Sequence, residues 1–193
     1  MVMKKYTPNQ IFVFDDVISD KDCDEIIKVI EKYATKKTPW AKYNNVECYP
    51  IYVDEIGDKE LSKKIDDKIF KTVNNLAHLF LNEYSIPCKS DSGYILRKIV
   101  GPTREHVDGI LVNPGSREQN INKNLVRNMS LIIALNGDYE GGEFVFPQQN
   151  NHMVKLKRGQ VICFPPYWTH PHKTNPLSGN TVRYTINTWL CGT

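Results

Sequence analysis

The sequence lacks an apolar run approaching the roughly 18 to 20 residues that a membrane span needs. Its opening, "MVMKKYTPNQ", has no apolar core of the kind a secretory leader carries, and the expectation is a soluble, cytoplasmic protein with no membrane partner. Cysteine is sparse and follows no pairing pattern. Cys23, Cys48, Cys88, Cys163 and Cys191 are odd in number and scattered, which excludes a zinc ribbon or a disulfide framework and predicts reduced thiols. No sign of charge dominates: the formal net charge is +3, most lysines are interleaved with acids, and no dense basic and aromatic stripe marks a nucleic-acid partner. Internal repeats and low-complexity tracts are also missing. With Gly and Pro at 11 each and 40% hydrophobic residues, the composition is ordinary for a globular protein and excludes collagen-like, disordered and mini-protein classes. A chain of 193 residues is expected to form a single domain over 1–193, and its oligomeric state is left open.

What is present is a run of helices followed by a run of strands. "IFVFDDVI" at 11–18 reads as a short strand, and Ser19 offers an N-cap to the helix "DKDCDEIIKVIEKYA" with acids in its first turn. A polar segment containing Trp40 and Tyr43 follows, and then "CYPIYVDE" reads as another strand before a turn at Gly57. From Asp58, Leu61, Ile65, Ile69, Val73, Leu76 and Phe80 recur every three or four residues, which predicts a long amphipathic helix ending near Tyr84. After Pro87 come β-rich runs, "GYILRKIV", "RNMSLIIALN", "GGEFVFP", "HMVKLK", "GQVICFPP" and "VRYTINTWL", divided by turn signals. This order predicts an α+β protein with helical support mainly over 19–84, buttressing one side of a β sandwich or barrel core mainly over 87–193.

The segment "TREHVDGILVNPG" places His106 and Asp108 two residues apart. On a strand, residues i and i+2 project from one face, so both side chains address one point in space. A metal needs at least a third ligand, and downstream histidines occur at His152, His170 and His172. Two histidines and a carboxylate with open positions form the facial triad of non-haem iron(II) oxygenases. A His-x-Asp tripeptide alone is weak, since many such pairs sit in solvated loops or hydrogen-bond to each other. Arg183 adds weight: it lies in the apolar strand "VRYTINTWL", where a buried guanidinium needs a carboxylate to hold, either from a ligand or from a structural Asp or Glu, unless it faces solvent.

With these motifs the chain resembles the iron(II)- and 2-oxoglutarate-dependent dioxygenases of the prolyl 4-hydroxylase-like type, along nearly all of its length. "IFVFDDVISDKDCDEII" is similar to the family's entry strand and helix, "REHVDG" to its His-x-Asp motif, and "RNMSLIIALNGDYEGGEFVFP" to the strands that follow. "KRGQVICFPPYWTHPHKTNPLSGNTVRYTINTWL" resembles the segment carrying the distal histidine, the clamping cation and the terminal Trp. The resemblance implies a double-stranded β-helix, or jelly roll. It also implies a metal site of His106, Asp108 and His172, with His170 the competing histidine in "THPH". Arg183 then matches the residue that binds the distal carboxylate of 2-oxoglutarate, with Thr185 and Tyr94 as further contacts; for Tyr94 a core tyrosine with its hydroxyl satisfied is the alternative. Implied cofactors are Fe(II), 2-oxoglutarate as co-substrate and O2, with ascorbate as an accessory reductant. The implied reaction is hydroxylation of a C–H bond, foremost in a prolyl residue of a peptide or protein partner, with succinate and CO2 released. A lysyl residue or a small molecule is the alternative substrate. A jelly-roll metal-binding module without turnover and a zinc hydrolase are the alternative classes, and neither has a use for the full set with Arg183.

Other features have structural readings. Gly141, Gly142 and Gly159 fit tight turns, Trp168 and Trp189 fit the core, His78 and His152 fit surface or packing roles, and Cys163 fits an inert buried thiol. "RKIVGPTREH" departs from the family in lacking aromatics before the His-x-Asp pair, and the stretch at 110–126 is long enough to form a lid that orders over substrate.

Overall fold

The computed structural model describes residues 9–37, 48–109 and 126–192. Trp40, Tyr43 and the expected lid, apart from Val126, lie outside the described residues. Strand β1 (Phe12–Phe14) leads into helix α1 (Asp20–Tyr33). The strand is shorter than the apolar run suggests because the Asp15 carboxylate accepts a hydrogen bond from the Gln160 amide and Asp16 turns to φ 53°. α1 starts at Ser19, whose hydroxyl oxygen accepts the Asp22 amide at 3.1 Å, and Asp20 and Asp22 in the first turn favour the positive end of the helix dipole. β2 (Cys48–Tyr52) and a 3-10 turn precede helix α2 (Lys59–Tyr84), capped by the Asp58 carboxylate on the Leu61 amide at 3.0 Å. α2 ends at Ser85, which is in the left-handed region.

The remaining strands are β3 (Ser90–Asp91), β4 (Ile95–Ile99), β5 (Val126–Ala134), β6 (Glu140–Gly141), β7 (Phe144–Phe146), β8 (His152–Val154), β9 (Val161–Phe164), β10 (Lys173–Thr174), β11 (Leu177–Ser178) and β12 (Arg183–Gly192). The large antiparallel sheet runs β1-β9-β5-β12-β4-β2, with β3 also paired to β12. The ladders β10-β7-β8 and β11-β6 are separate. The two edges of the large sheet thus come from the N-terminal half, and the jelly roll is not confined to the residues after Pro87.

Each face of the large sheet has its own apolar layer. The outer face packs Phe12, Phe14, Leu96, Leu131, Ile133 and Ile186 against the α1 stripe Ile26 and Ile30 and the α2 stripe Ile65, Ile69, Val73, Leu76 and Phe80. Burying each such side chain contributes about 1.5 to 3 kcal/mol, which is why two marginal amphipathic helices are stable here. The inner face packs Ile132, Ala134, Ile162 and Phe164 against Phe144, Phe146 and Leu156. This double-stranded β-helix, buttressed by helices on one side, is the α+β jelly roll expected from the sequence. Among the described residues no helix is long and apolar enough to cross a membrane.

The alternation on β12 decides what reaches the interior. Tyr184, Ile186 and Leu190 join the helix-side core, so Arg183, Thr185, Asn187 and Trp189 point to the inner face. Thr185, Asn187 and Trp189 face Ala134, Ile132 and Ser130 of β5, while Arg183, Thr185 and Asn187 face Ile99, Arg97 and Ile95 of β4.

Candidate metal centre

His106 and His172 stand opposite one another in an isolated antiparallel bridge. The bridge is fixed next door, where the Thr174 amide donates to the Thr103 carbonyl at 3.0 Å and the Thr103 amide donates to the Thr174 hydroxyl oxygen at 2.8 Å. With Asp108 two residues beyond His106, the three side chains offer ligand atoms that all lie within 4.8 Å of one another. His106 Nε2 is 3.3 Å from Asp108 Oδ1, and His172 Nε2 is 3.8 Å from Asp108 Oδ2.

Hydrogen bonds on the far side of each ring set the tautomers. His106 Nδ1 is 2.9 Å from the Arg104 carbonyl, and His172 Nδ1 is 3.1 Å from the His170 carbonyl. A carbonyl only accepts, so each Nδ1 carries the proton and each Nε2 turns its lone pair to the shared point. Asp108 is steadied by the Ser130 hydroxyl, which donates to Oδ2 at 2.8 Å, and its backbone carbonyl accepts from Arg127 at 2.7 Å. Burial on its own raises the Asp108 carboxyl, but hydrogen bonding to His106 and the two imidazoles outweigh it and hold the group below the usual carboxylate range. Burial pulls His172 below the ordinary imidazole value. For His106 burial acts in the same direction, but the Asp108 hydrogen bond and charge prevail and raise it. An ionised carboxylate and a lone pair on each imidazole make a two-nitrogen, one-oxygen donor set suited to a divalent transition metal.

His170 is elsewhere. Its Nε2 lies 2.7 Å from the Asn9 carbonyl and its Nδ1 lies 2.9 Å from the Thr169 hydroxyl, so this ring is turned toward the N-terminal segment. His152 lies on β8 and His78 on α2, both outside the cluster.

Arg183 is 3% exposed on the inner face. Its guanidinium donates to the Gly142 carbonyl and lies 5.2 Å from the centroid of Phe144, yet its Nε has no hydrogen-bond partner and no carboxylate pairs with it among the described residues. Glu143 bears on it only at a distance, because the Glu143 carboxylate accepts from the Asn175 amide at 3.0 Å. Of the alternatives open at the level of sequence, a structural acid and solvent are thus both absent. A buried cation with an orphaned donor suits an anionic ligand group. Thr185 is on the same face, 1% exposed, its hydroxyl donating to the Asn187 side-chain oxygen at 2.8 Å.

Tyr94 does not join them. It packs in the helix-side core and its hydroxyl donates to Asp91 at 2.8 Å, because its parity on the chain is that of Leu96 and not of Arg97. Trp168 also departs from expectation. It is 77% exposed, on the turn whose neighbour Tyr167 lies against Gly109, next to Asp108. Trp189 is buried as expected, under the Arg127 guanidinium at 3.7 Å from the ring centroid. Gly141, Gly142 and Gly159 all have positive φ.

Ser130, Arg127, Arg97 and Asn187 escaped the sequence reading. The signal was there for Ser130 and Asn187, each a polar residue on the inner-face alternation of an otherwise apolar strand, but it needs the pairing of β5 with β12 to be legible.

Residues 98–191 match the family model described as "2OG-Fe(II) oxygenase superfamily". A search of curated proteins by sequence returns no match. Among solved structures, the 2OG complex of the viral collagen prolyl hydroxylase vCPH from Paramecium Bursaria Chlorella virus-1 is similar at a TM-score of 0.65 and 21% identity, covering 95% of this chain and 96% of that one. A Pseudomonas putida prolyl-4-hydroxylase aligns at a TM-score of 0.67 and 14% identity, over 95% and 93% of the two chains. A prolyl hydroxylase from Trichoplax adhaerens, in complex with a hypoxia inducible factor oxygen degradation domain peptide fragment, aligns at 0.68 and 14% identity, over 95% and 84%. The His106, Asp108 and His172 cluster and Arg183 all fall within the segment that matches the superfamily model, and the chain shares the jelly-roll fold of these prolyl hydroxylases.

Proposed function

We propose that this protein is an Fe(II)- and 2-oxoglutarate-dependent dioxygenase, formed as one domain, that hydroxylates a prolyl residue in a peptide or protein. The observation that carries the reading is a buried guanidinium with an orphaned Nε on the same inner face as a two-histidine, one-carboxylate cluster. When bound, iron(II), 2-oxoglutarate and dioxygen supply oxidative decarboxylation to succinate and CO2, coupled to insertion of one oxygen atom into a C–H bond.

The residues of the chain do the rest. His106, Asp108 and His172 hold the metal, and the Arg104 and His170 carbonyls fix the two imidazoles in the ligating tautomer. Arg183 receives the distal carboxylate of 2-oxoglutarate in a setting from which water is excluded, which strengthens a charge-assisted pair, with Thr185 beside it. Burial is graded along the site: Arg183 and His172 are covered, whereas the His106 side chain keeps 34% of its exposure. Substrate therefore approaches from the His106 side. Exposed Trp168, on the turn whose neighbour Tyr167 lies against Gly109, gives a prolyl ring apolar surface to lie on, which supports a peptide substrate. All five cysteines are free, which supports a reducing compartment such as the cytoplasm.

The test is succinate formation from 2-oxoglutarate by anaerobically iron-loaded protein on admitting oxygen, with and without proline-containing peptides. Iron-dependent turnover that is stimulated by such peptides and lost in His172→Ala is the expected result. No turnover under any of these conditions would overturn the reading.

A further inference from the structure

Arg97 lies in the middle of β4, opposite Thr185 of β12 and Pro50 of β2, on the face of the sheet that carries Arg183. It is half-buried, and among the described residues it makes no ion pair and its side chain makes no hydrogen bond. The other two inner-face arginines are engaged. Arg127 stacks on Trp189 and donates to the Asp108 carbonyl, and Arg183 is held by Gly142 and Phe144. Thr185, opposite Arg97, stands two positions along β12 from Arg183, which places Arg97 beside the deep end of the site on the same face.

The charge balance of this face is one-sided. Asp108 is the one carboxylate in the cluster and it offsets only one guanidinium. A divalent ion and a dicarboxylate cancel each other, so Arg97, Arg127 and Arg183 still outnumber Asp108, the one carboxylate of the described cluster, when both are bound. In the proposed function the distal carboxylate of 2-oxoglutarate is already assigned to Arg183, and Arg97 is not needed for it. A half-withdrawn guanidinium without a partner among the described residues favours an anion, and the group still to arrive is the substrate.

We propose that Arg97 is a specificity residue that receives a carboxylate of the substrate, so that the acceptor is an acidic peptide with Glu or Asp beside the hydroxylated residue. This inference rests on the oxygenase reading of the site and adds the chemical class of its substrate. Neutral or basic flanking residues leave Arg97 partly desolvated and unpaired, and lysine adds repulsion.

The experiment is anaerobic calorimetry on Mn(II)-loaded protein with 2-oxoglutarate present. The probes are three matched peptides carrying Glu, Gln or Lys beside one proline, and the same three with alanine replacing the proline. Wild type is expected to bind the Glu peptide about tenfold more tightly than the Gln peptide, with Lys weakest. In Arg97→Gln the preference disappears, in Arg97→Glu it reverses, and 2-oxoglutarate affinity in Arg97→Gln stays within about twofold of wild type. If the alanine series binds as tightly and with the same charge preference, the prolyl reading fails while the role of Arg97 stands. Absence of a charge preference in wild type, including absence of binding by all six peptides, overturns the inference. So does a preference that survives Arg97→Gln, or a loss of 2-oxoglutarate affinity in that variant with the peptide preference unchanged.

Discussion

His106 and His172 exchange both backbone hydrogen bonds, amide to carbonyl at 3.0 and 2.9 Å, and their rings lie 4.3 Å apart between centroids. Two ligands 66 positions apart in sequence are thereby registered through the backbone, before any metal is considered. A site prepared in this way loses little conformational freedom when it binds an ion.

Ser130 sets the third ligand. In Ser130→Ala the Asp108 carboxylate loses its 2.8 Å hydrogen bond and one constraint on its orientation. Mn(II) affinity is expected to fall about tenfold, as for other groups that orient a metal ligand, with the urea midpoint little changed. Unchanged Mn(II) affinity by calorimetry would show that Ser130 does not position Asp108.

Gly141 holds the turn that presents the Gly142 carbonyl to Arg183. Its φ is +73°, and a Cβ there would lie 2.1 Å from the Pro176 carbonyl oxygen, a backbone atom that cannot swing aside. Gly141→Ala is expected to cost more than about 2 kcal/mol and to weaken 2-oxoglutarate binding, since the pairing of β6 with β11 has to open. Gly57, whose added Cβ would meet nothing within 4 Å, serves as the control, with Gly57→Ala expected within about 0.5 kcal/mol of wild type. Denaturant unfolding of the two variants checks both statements.

Much of this arrangement is legible in the sequence where the signal is local. The i, i+2 spacing of His106 and Asp108, the caps at Ser19 and Asp58, and the stripe from Ile65 to Phe80 all depend on short-range geometry. The choice of His172 over His170 came from resemblance, because two histidines separated by one proline look alike until the bridge to His106 is seen. Tyr94 was misplaced for a related reason. The face of a strand residue depends on register, and one position separates Arg97 on the inner face from Leu96 in the helix-side core. Trp168 was assigned to the core on residue type, but the turn after Phe164 leaves it no layer to enter.

Acid stability depends partly on the junction of the two helices. Lys68 of α2 pairs with Asp22 of α1, and the Lys68 and Ser19 hydrogen bonds hold the Asp22 carboxyl below its ordinary 3.8. A depressed folded-state pKa contributes stability above the unfolded value of about 3.9, and the contribution is lost as pH falls through the folded value. Urea midpoints of wild type are therefore expected to fall between pH 6 and pH 3, and those of Lys68→Met to fall less over the same interval. An equal fall in both proteins would remove this pair from the account.

The central claim is that one face of the sheet holds a metal at His106, Asp108 and His172 and an anion at Arg183. Sequential calorimetry of Mn(II) and then 2-oxoglutarate into wild type, His170→Ala, His172→Ala and Arg183→Met tests it most directly. The account predicts one metal and one 2-oxoglutarate per chain in wild type and His170→Ala, and loss of the metal in His172→Ala. In Arg183→Met it predicts retained metal with 2-oxoglutarate weakened at least about 30-fold, equivalent to about 2 kcal/mol. Full metal affinity in His172→Ala, or unaltered 2-oxoglutarate affinity in Arg183→Met, would contradict it.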